Sequence, residues 1–373
     1  MALPLGVLDL VPVSSGESPA TALAHSVRLA QRAEAAGYHR YWFAEHHLNP
    51  GVIGSSPAVT IALAGAATST IRVGSGAVLA GHRTGLSIAE EFGLLEAAYP
   101  GRIDLGLGRS GNRARPPGST VPRGSLPEER HTPEGLLVPA QVPLGGLLAS
   151  PRFQVASRLQ FLPGAESAEY ADTVALIQDA LSGSLKVDDL ALPEAAVVSP
   201  TPAQLWILGS SAGESSALAG QRGLRFGANY HVAPSGVVDA VRHYRDSFRP
   251  SEELAAPHVI VSADVVVAPT QEEASYLAAG YDHWVYSIRS GAGAIRYPHP
   301  DEALANPLDE QAAALVDDRV RTRFVGTPES VVAHLQVLQA ATGADELLIT
   351  SITHDPELRA RSHELLAQAW QAA

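Results

Sequence analysis

Residues 87–109, SIAEEFGLLEAAYPGRIDLGLGR, place a helix pattern directly before a strand pattern. Ser87 and Glu90 have the spacing of a capping box at the helix start, and Pro100 and Gly101 end the helix. Three apolar residues share one helix face: Ile88, Phe92 and Leu95. In the strand, Ile103, Leu105 and Leu107 alternate with Asp104, Gly106 and Gly108. The stretch therefore predicts a helix, a tight turn and a strand in succession.

The same alternation of strand and helix continues on both sides of this stretch. Eight segments have strand patterns: residues 3–10, 41–44, 71–79, 102–108, 205–208, 224–228, 259–267 and 346–351. Helical patterns lie between them; the first runs from Ser18 and Pro19 to Gly37, and another has Thr327 as N-cap and Pro328 after it. Such regular alternation predicts an α/β fold, a TIM (β/α)8 barrel. A doubly wound sheet is the alternative, because local patterns do not show closure.

One long gap interrupts the alternation after the fourth strand. Residues 110–165 are rich in Pro, Gly, Arg and Ser, show no sustained periodicity, and carry six Arg against three Glu. In a barrel the loops after strands collect at the catalytic face. We therefore expect one barrel domain over residues 1–373, with a mobile or disordered lid insertion at 110–165. A solvated insertion that touches nothing is the alternative.

The composition argues against several classes of protein. The 373 residues include 39 acidic and 26 basic side chains, a formal charge of -13, so a generic grip on nucleic acid or an anionic membrane is not expected. The absence of Cys removes disulfides, thiolate nucleophiles and iron–sulfur ligation. No run of 18 apolar residues and no basic leader are present, so we expect neither a membrane span nor secretion, but a cytoplasmic protein.

Three polar clusters directly follow predicted strands: Glu45-His46-His47, Arg109 and Gly209-Ser210-Ser211. The carboxyl ends of barrel strands lie on one face, so the clusters should converge. A neutral histidine there can act as a general base, and a satisfied structural histidine is the alternative. Neighbouring residues of an extended chain point to opposite faces, so we expect no metal site.

Two of these clusters suit a phosphate. The guanidinium of Arg109 can bind a phosphate bidentately, and the hydroxyls of Ser210 and Ser211 precede a helix whose N-terminal N–H groups favour anions. Residues 74–77, GSGA, form a small-residue patch on which a flat ring could lie against bare backbone. A bend in the barrel is the alternative for that patch.

The order and spacing of these motifs resemble the bacterial luciferase-like monooxygenase family over nearly the whole chain, except residues 111–165. The matching segments are residues 37–47, 56–57, 72–76, 89–92, 99–109, 206–211, 326–330 and 345–350. The resemblance implies a barrel that binds FMN, receives it as FMNH2 from a separate NAD(P)H:flavin reductase, and reacts it with O2. The implied product is a C4a-hydroperoxide that oxygenates a small organic molecule. The subgroup is similar to natural-product tailoring enzymes, which implies an aromatic or polyketide substrate and a role in antibiotic biosynthesis.

Site residues carry over by matching position. His46 resembles the active-site histidine, Arg109 and Ser211 resemble the phosphate ligands, and Gly76-Ala77 matches a cis peptide behind the flavin ring. Neighbouring residues complete the candidate sets: Glu45 and His47 for catalysis, and Ser75, Gly209, Ser210 and Ser215 for the cofactor. Whether Glu214 or Ser215 lies nearest the phosphate stays open.

Two other functions remain compatible with these residues. One is hydride transfer with the deazaflavin F420, which needs neither O2 nor a reductase. The other is a non-catalytic flavin-binding barrel. The alanine-rich residues 58–67 further predict a homodimer, because small side chains allow close helix approach; a buried intramolecular helix is the alternative.

Overall fold

Eight parallel strands close into a barrel in the computed structural model, which describes residues 3–109, 128–143, 147, 150–161, 164–165 and 168–373. Each strand pairs with the next along the chain, and the eighth pairs with the first. The strands are β1 Leu5–Asp9, β2 Arg40–Phe43, β3 Arg72–Ser75, β4 Ile103–Gly108, β5 Gln204–Gly209, β6 Arg225–Asn229, β7 Val259–Val267 and β8 Glu346–Thr350. This closure confirms the TIM barrel and excludes the doubly wound sheet.

Helices surround the barrel. In the described ranges they are α1 Pro19–Ala35, α2 Pro57–Ala67, α3 Gly85–Ala98, α4 Pro151–Leu159, α5 Tyr170–Ser182, α6 Glu214–Gln221, α7 Val237–Ser247, α8 Gln271–Leu277, α9 Tyr281–Arg289, α10 Pro300–Ala305, α11 Glu310–Arg321, α12 Pro328–Thr342 and α13 Pro356–Ala372. Among these residues, none of the helices combines the length and the apolar character needed to cross a membrane.

The predicted helix starts are confirmed at α1 and α12 but not at α3. Ser18 accepts a hydrogen bond from the backbone of Thr21, and Thr327 caps α12 in the same way. At α3, however, Thr84 is the N-cap and accepts from the backbone N–H of Ser87 at 3.1 Å. The capping box predicted at Ser87 is therefore wrong: Ser87 lies inside the first turn, where its hydroxyl donates back to the carbonyl of Thr84.

The strand predicted over residues 71–79 is interrupted. It forms β3 and a separate short strand, Val78–Leu79, which pairs with the end of β4. Between the two pieces lies a cis peptide bond, Gly76-Ala77, as the family resemblance implies.

Part of the long insertion is regular structure. Arg130–His131 and Leu137–Val138 form a short antiparallel pair, and α4 follows, which the sequence analysis did not predict. Val138 is buried, and the hydroxyl of Tyr230 donates to the carbonyl of Leu137 at 2.7 Å. An insertion that touches nothing is therefore wrong for this part. Residues 110–127, 144–146, 148–149 and 162–163 lie outside the described residues, and the lid stays a prediction.

Side chains alternate between the barrel interior and the layer beneath the helices. Residues facing the interior include Leu8, Trp42, Trp206, Ile260 and Leu348. Their neighbours along the strands pack outward in a second cluster that includes Val7, Tyr41, Phe43, Ile207 and Val261. Below the apolar interior, at the amino ends of the strands, Arg40 lies between Asp104 and Glu346. That charged layer fills one end of the barrel and leaves the other end for a ligand.

Candidate active site

A cavity of about 480 Å³ opens at the carboxyl ends of the strands and is lined by residues of all eight strands or of the segments directly after them. Nine predicted site residues line it: Glu45, His46, Gly76, Ala77, Arg109, Gly209, Ser210, Ser211 and Ser215. The structure thus brings together most of the clusters that the sequence places after strands. Two predicted residues, His47 and Ser75, do not line the cavity.

Ser75 is enclosed in the barrel wall. Its side chain is fully buried, its hydroxyl donates to the carbonyl of Gly106 at 3.0 Å, and it accepts from the N–H of the same residue at 2.9 Å. The hydroxyl therefore links β3 to β4 both as donor and as acceptor, and Ser75 lies in the barrel wall and does not line the cavity.

His46 presents a neutral imidazole at the cavity. Burial, with a smaller contribution from His47, lowers the pKa of His46 to about 4. Its backbone N–H donates to the carbonyl of Gly54 at 2.8 Å, which fixes the residue. Its Nδ1 atom is buried and has no hydrogen-bond partner among the described residues. Neither ring nitrogen hydrogen-bonds to a described residue, so the neutral ring offers one N–H donor and one acceptor nitrogen.

Glu45 organises the loop beside His46. One carboxylate oxygen accepts from the backbone N–H of Leu79 at 2.9 Å, and the other lies 2.8 Å from Nε2 of His47. His82 lies beside them: one potential metal-ligand atom from each of Glu45, His47 and His82 lies within 4.8 Å of the other two. The side chains of Glu45 and His47 therefore lie close together. The argument against a metal site concerned neighbouring residues, which point to opposite faces, and it did not consider residues two positions apart. The assignment of no metal stays a prediction.

Arg109 forms an ion pair with Glu214 at the other end of this wall. Both side chains are about half exposed, so the pair is weak and can be displaced. Glu214 is the first residue of α6, and Ser215 follows it; both line the cavity. The carboxylate of Glu214 pairs with the guanidinium of Arg109, so an anion bound by Arg109 would compete with Glu214. Whether Glu214 or Ser215 lies nearer such an anion stays open.

The sequence analysis missed several residues of the cavity wall. They are Asn229, His231, Asp264, Trp284, Arg319 and Thr350. Asn229 and Thr350 are the last residues of β6 and β8. The expectation that residues at the carboxyl ends of strands face the site, which predicted Arg109, therefore applies to them as well. Trp284 and Arg319 lie on α9 and α11, and no local pattern connects those helices with the cavity.

The donor set of the cavity fits a flavin mononucleotide. At one end are a guanidinium, three serine hydroxyls and the N-terminus of α6, which suit a phosphate dianion: Arg109, Ser210, Ser211 and Ser215. Backbone of Gly76 and Ala77 borders the cavity without large side chains, as a flat ring requires. The unpartnered Nδ1 of His46 adds a buried polar atom that calls for a partner.

A closed (β/α)8 barrel with its polar residues gathered at the carboxyl ends of the strands defines an enzyme of the TIM-barrel class. The sequence profile of luciferase-like monooxygenases matches residues 3–122 and 164–346, so the chain belongs to that family. It is 35% identical to the Bacillus subtilis protein YvbT over 369 residues, which are 98% of this chain and 96% of YvbT.

Solved structures share the whole fold. The crystal structure of apo-MsnO8 is 29% identical with a TM-score of 0.78, and the match covers 100% of this chain and 98% of MsnO8. Two more distant structures show the fold alone. One is the oxygenating constituent of 3,6-diketocamphane monooxygenase from Pseudomonas putida in complex with FMN (18% identity, TM-score 0.62, 99% and 97% covered). The other is an F420-dependent secondary alcohol dehydrogenase (15%, 0.62, 99% and 99%).

The buried histidines should make the fold sensitive to mild acid. Burial lowers the pKa of His46 to about 4, so between pH 5 and 7 it stays neutral when folded and gains a proton only when unfolded. Stability therefore falls as the pH drops from 7 to 5, by about 1–2 kcal/mol for this one residue. Urea unfolding at both pH values should show a smaller pH difference in His46→Gln than in the wild type.

The matched control is His131→Gln, whose side chain is exposed. It should keep the wild-type difference between pH 5 and pH 7. An equal difference in wild type and His46→Gln would contradict the buried, neutral state of His46.

Proposed function

We propose that the protein is a two-component, FMNH2-dependent monooxygenase that forms a flavin C4a-hydroperoxide and oxygenates an organic substrate, of the aromatic or polyketide natural-product type. The observation that carries this proposal is the convergence, in one cavity, of an anion-binding end and a neutral histidine with an unpartnered nitrogen. When bound, the reduced flavin supplies the reaction with O2, which no side chain of this protein provides.

The residues of the chain bind and orient. Arg109, the hydroxyls of Ser210, Ser211 and Ser215, and the N-terminus of α6 hold the phosphate of the cofactor. The backbone of Gly76-Ala77 supports the ring. The imidazole of His46 exchanges a hydrogen bond and holds or moves a proton, since its neutral form persists across the physiological pH range.

The remaining wall keeps water away. Apolar side chains cover much of the cavity beyond the phosphate end: Leu10, Val52, Trp284, Ile288 and Ile352. With a reduced flavin bound, a wall that excludes water would favour oxygen transfer to the substrate over release of peroxide. We assign the same purpose, as a lid, to the insertion at residues 110–165.

Reduction by F420 is the second candidate function. It is favoured by one observation: the fold is shared with an F420-dependent alcohol dehydrogenase as well as with FMN-binding monooxygenases. A hydride-transfer enzyme would use the same phosphate end and need no O2. A non-catalytic barrel would bind FMN without any reaction.

The proposal includes a separate NAD(P)H:flavin reductase, a cytoplasmic location and a homodimer. Support for the dimer comes from α2, where Val59 is 58% and Leu63 is 42% exposed. Two such apolar side chains one turn apart on a helix surface suit contact with a second copy.

Mixing the protein and FMNH2 with oxygenated buffer in a stopped-flow spectrometer should produce a transient with the absorbance of known C4a flavin adducts. Exclusion of water from the site should slow the decay of this transient relative to that of free flavin. His46→Ala should still bind FMN but release more peroxide. Oxidation of reduced F420 by an added organic hydride acceptor under anaerobic conditions would instead support hydride transfer, and FMN binding with no transient would support the non-catalytic barrel.

A further inference from the structure

Arg319 brings a buried positive charge to the cavity from α11. The residue is 8% exposed and borders the cavity. Nε and Nη2 donate to the hydroxyl of Tyr281 at 3.2 and 2.9 Å, while Nη1 makes no hydrogen bond to any described residue. Within the same part of the chain, Arg319 has no carboxylate within the ion-pair distance of 4.0 Å.

The acidic groups nearby are already engaged. Asp318 binds Arg289 with both carboxylate oxygens, and Asp264 accepts from Nε of Arg323 at 2.8 Å. Tyr281 does not neutralise Arg319 either, because burial raises the pKa of its phenol to about 12. The group formed by Asp264, Tyr281, Arg319 and Arg323 therefore carries one net positive charge next to the cavity.

An unpaired guanidinium is costly in such a place. Burial without a counter-charge loses the hydration of the ion, and proteins normally compensate with a carboxylate or a ligand. The same wall has further unused polar atoms: Nε1 of Trp284 and Oγ1 of Thr350 are buried without partners among the described residues. Together with Arg319, these side chains form a polar subsite in the cavity wall.

The subsite is separate from the phosphate end. Arg109 follows β4, whereas Arg319 packs through Tyr281 and Arg323 against Asp264 of β7, three strands further around the ring. The two arginines therefore serve different ends of one cavity. Only Arg109 lies with the serine hydroxyls that suit a phosphate.

We propose that Arg319 binds a carboxylate of the organic substrate. The two hydrogen bonds to Tyr281 leave two hydrogens on Nη1 and one on Nη2. One hydrogen from each of these nitrogens forms a pair of parallel donors that matches the two oxygens of a carboxylate. Apolar side chains around the subsite, including Val52, Ile288 and Ile352, accept the rest of the molecule. This inference rests on the proposed function and narrows its substrates to apolar molecules with one carboxylate.

The test compares two probes of equal shape, 4-phenylbutanoate and 4-phenylbutanamide, by titration calorimetry without flavin. Wild type should prefer the carboxylate by about 10- to 100-fold, the range for a charge-assisted pair. Arg319→Met should lose that preference and leave the amide unchanged. Arg319→Lys, which keeps the charge, should retain part of it, and FMN affinity should be the same in all three proteins.

Two results would overturn the assignment. One is equal affinity of wild type for the acid and the amide. The other is loss of the preference in Arg109→Gln rather than in Arg319→Met, which would put the carboxylate at the phosphate end. The titration uses neither flavin nor O2, so it tests carboxylate binding independently of the proposed oxygenation. Absence of the stopped-flow transient would refute the oxygenation but would not change the result of the titration.

Discussion

Replacing Arg109 with Gln should weaken FMN binding by roughly 30- to 150-fold, corresponding to about 2–3 kcal/mol for a charge-assisted contact with the phosphate. The side chain borders the cavity beside Ser211 and Ser215 and is half exposed, so its removal leaves no buried charge behind. Riboflavin, which lacks the phosphate, should bind to wild type and variant with affinities within about threefold. Fluorescence quenching of both flavins measures the two effects side by side.

Glu214→Gln is the matched variant with the opposite expected sign. The carboxylate of Glu214 forms an ion pair with the guanidinium of Arg109, so it competes with the phosphate for Arg109 and also repels it. Its removal should strengthen FMN binding several-fold and leave riboflavin unaffected. If Arg109→Gln weakened FMN and riboflavin equally, the arginine would not be the phosphate ligand. An unchanged FMN affinity in both variants would indicate that the phosphate binds elsewhere in the cavity.

The strands and their order could be predicted from the sequence, but closure could not. Apolar alternation and turn residues act within a few positions, and they located all eight strands to within a few residues. Closure depends on Leu105 pairing with Leu205 and on Leu5 pairing with Leu347, contacts that no local pattern encodes. The start of α3 was missed because Thr84 and Ser87 are both suitable N-cap residues, and the local pattern does not decide between them.

The site residues that come directly after strands could be predicted from the sequence. Glu45, His46 and Arg109 reach the cavity because each follows a strand directly. Ser75 was placed there wrongly, although side-chain alternation gives the reason: it shares a strand face with Val73, which packs toward the helices. Arg319 could not be found in this way, since its approach to the cavity depends on how α11 packs against α9.

At the opposite end of the barrel, replacing Arg40 with Met should cost about 3–5 kcal/mol of unfolding free energy. The side chain is 2% exposed, and its guanidinium binds Glu346 through Nε and Nη2 at 2.7 and 2.8 Å, and Asp104 through Nη1. After the change, Asp104 retains Arg72 and Trp42, but Glu346 keeps only His258 as a hydrogen-bond partner among the described side chains. Urea unfolding at pH 7 measures the loss.

The pH dependence separates this electrostatic cause from lost packing. Burial raises the pKa of Glu346, but the hydrogen bond with His258 and the charge of Arg40 outweigh it and bring the pKa to about 2. The ionised carboxylate therefore stabilises the fold above about pH 4.5, and that contribution disappears as the pH falls toward 2. Protonation relieves the unpaired carboxylate in Arg40→Met, so the gap between variant and wild type should narrow at pH 4. The double variant Arg40→Met/Glu346→Gln should recover part of the stability at pH 7, since it removes the uncompensated charge. A gap that is constant with pH, together with strictly additive single changes, would mean that Arg40 acts through packing alone.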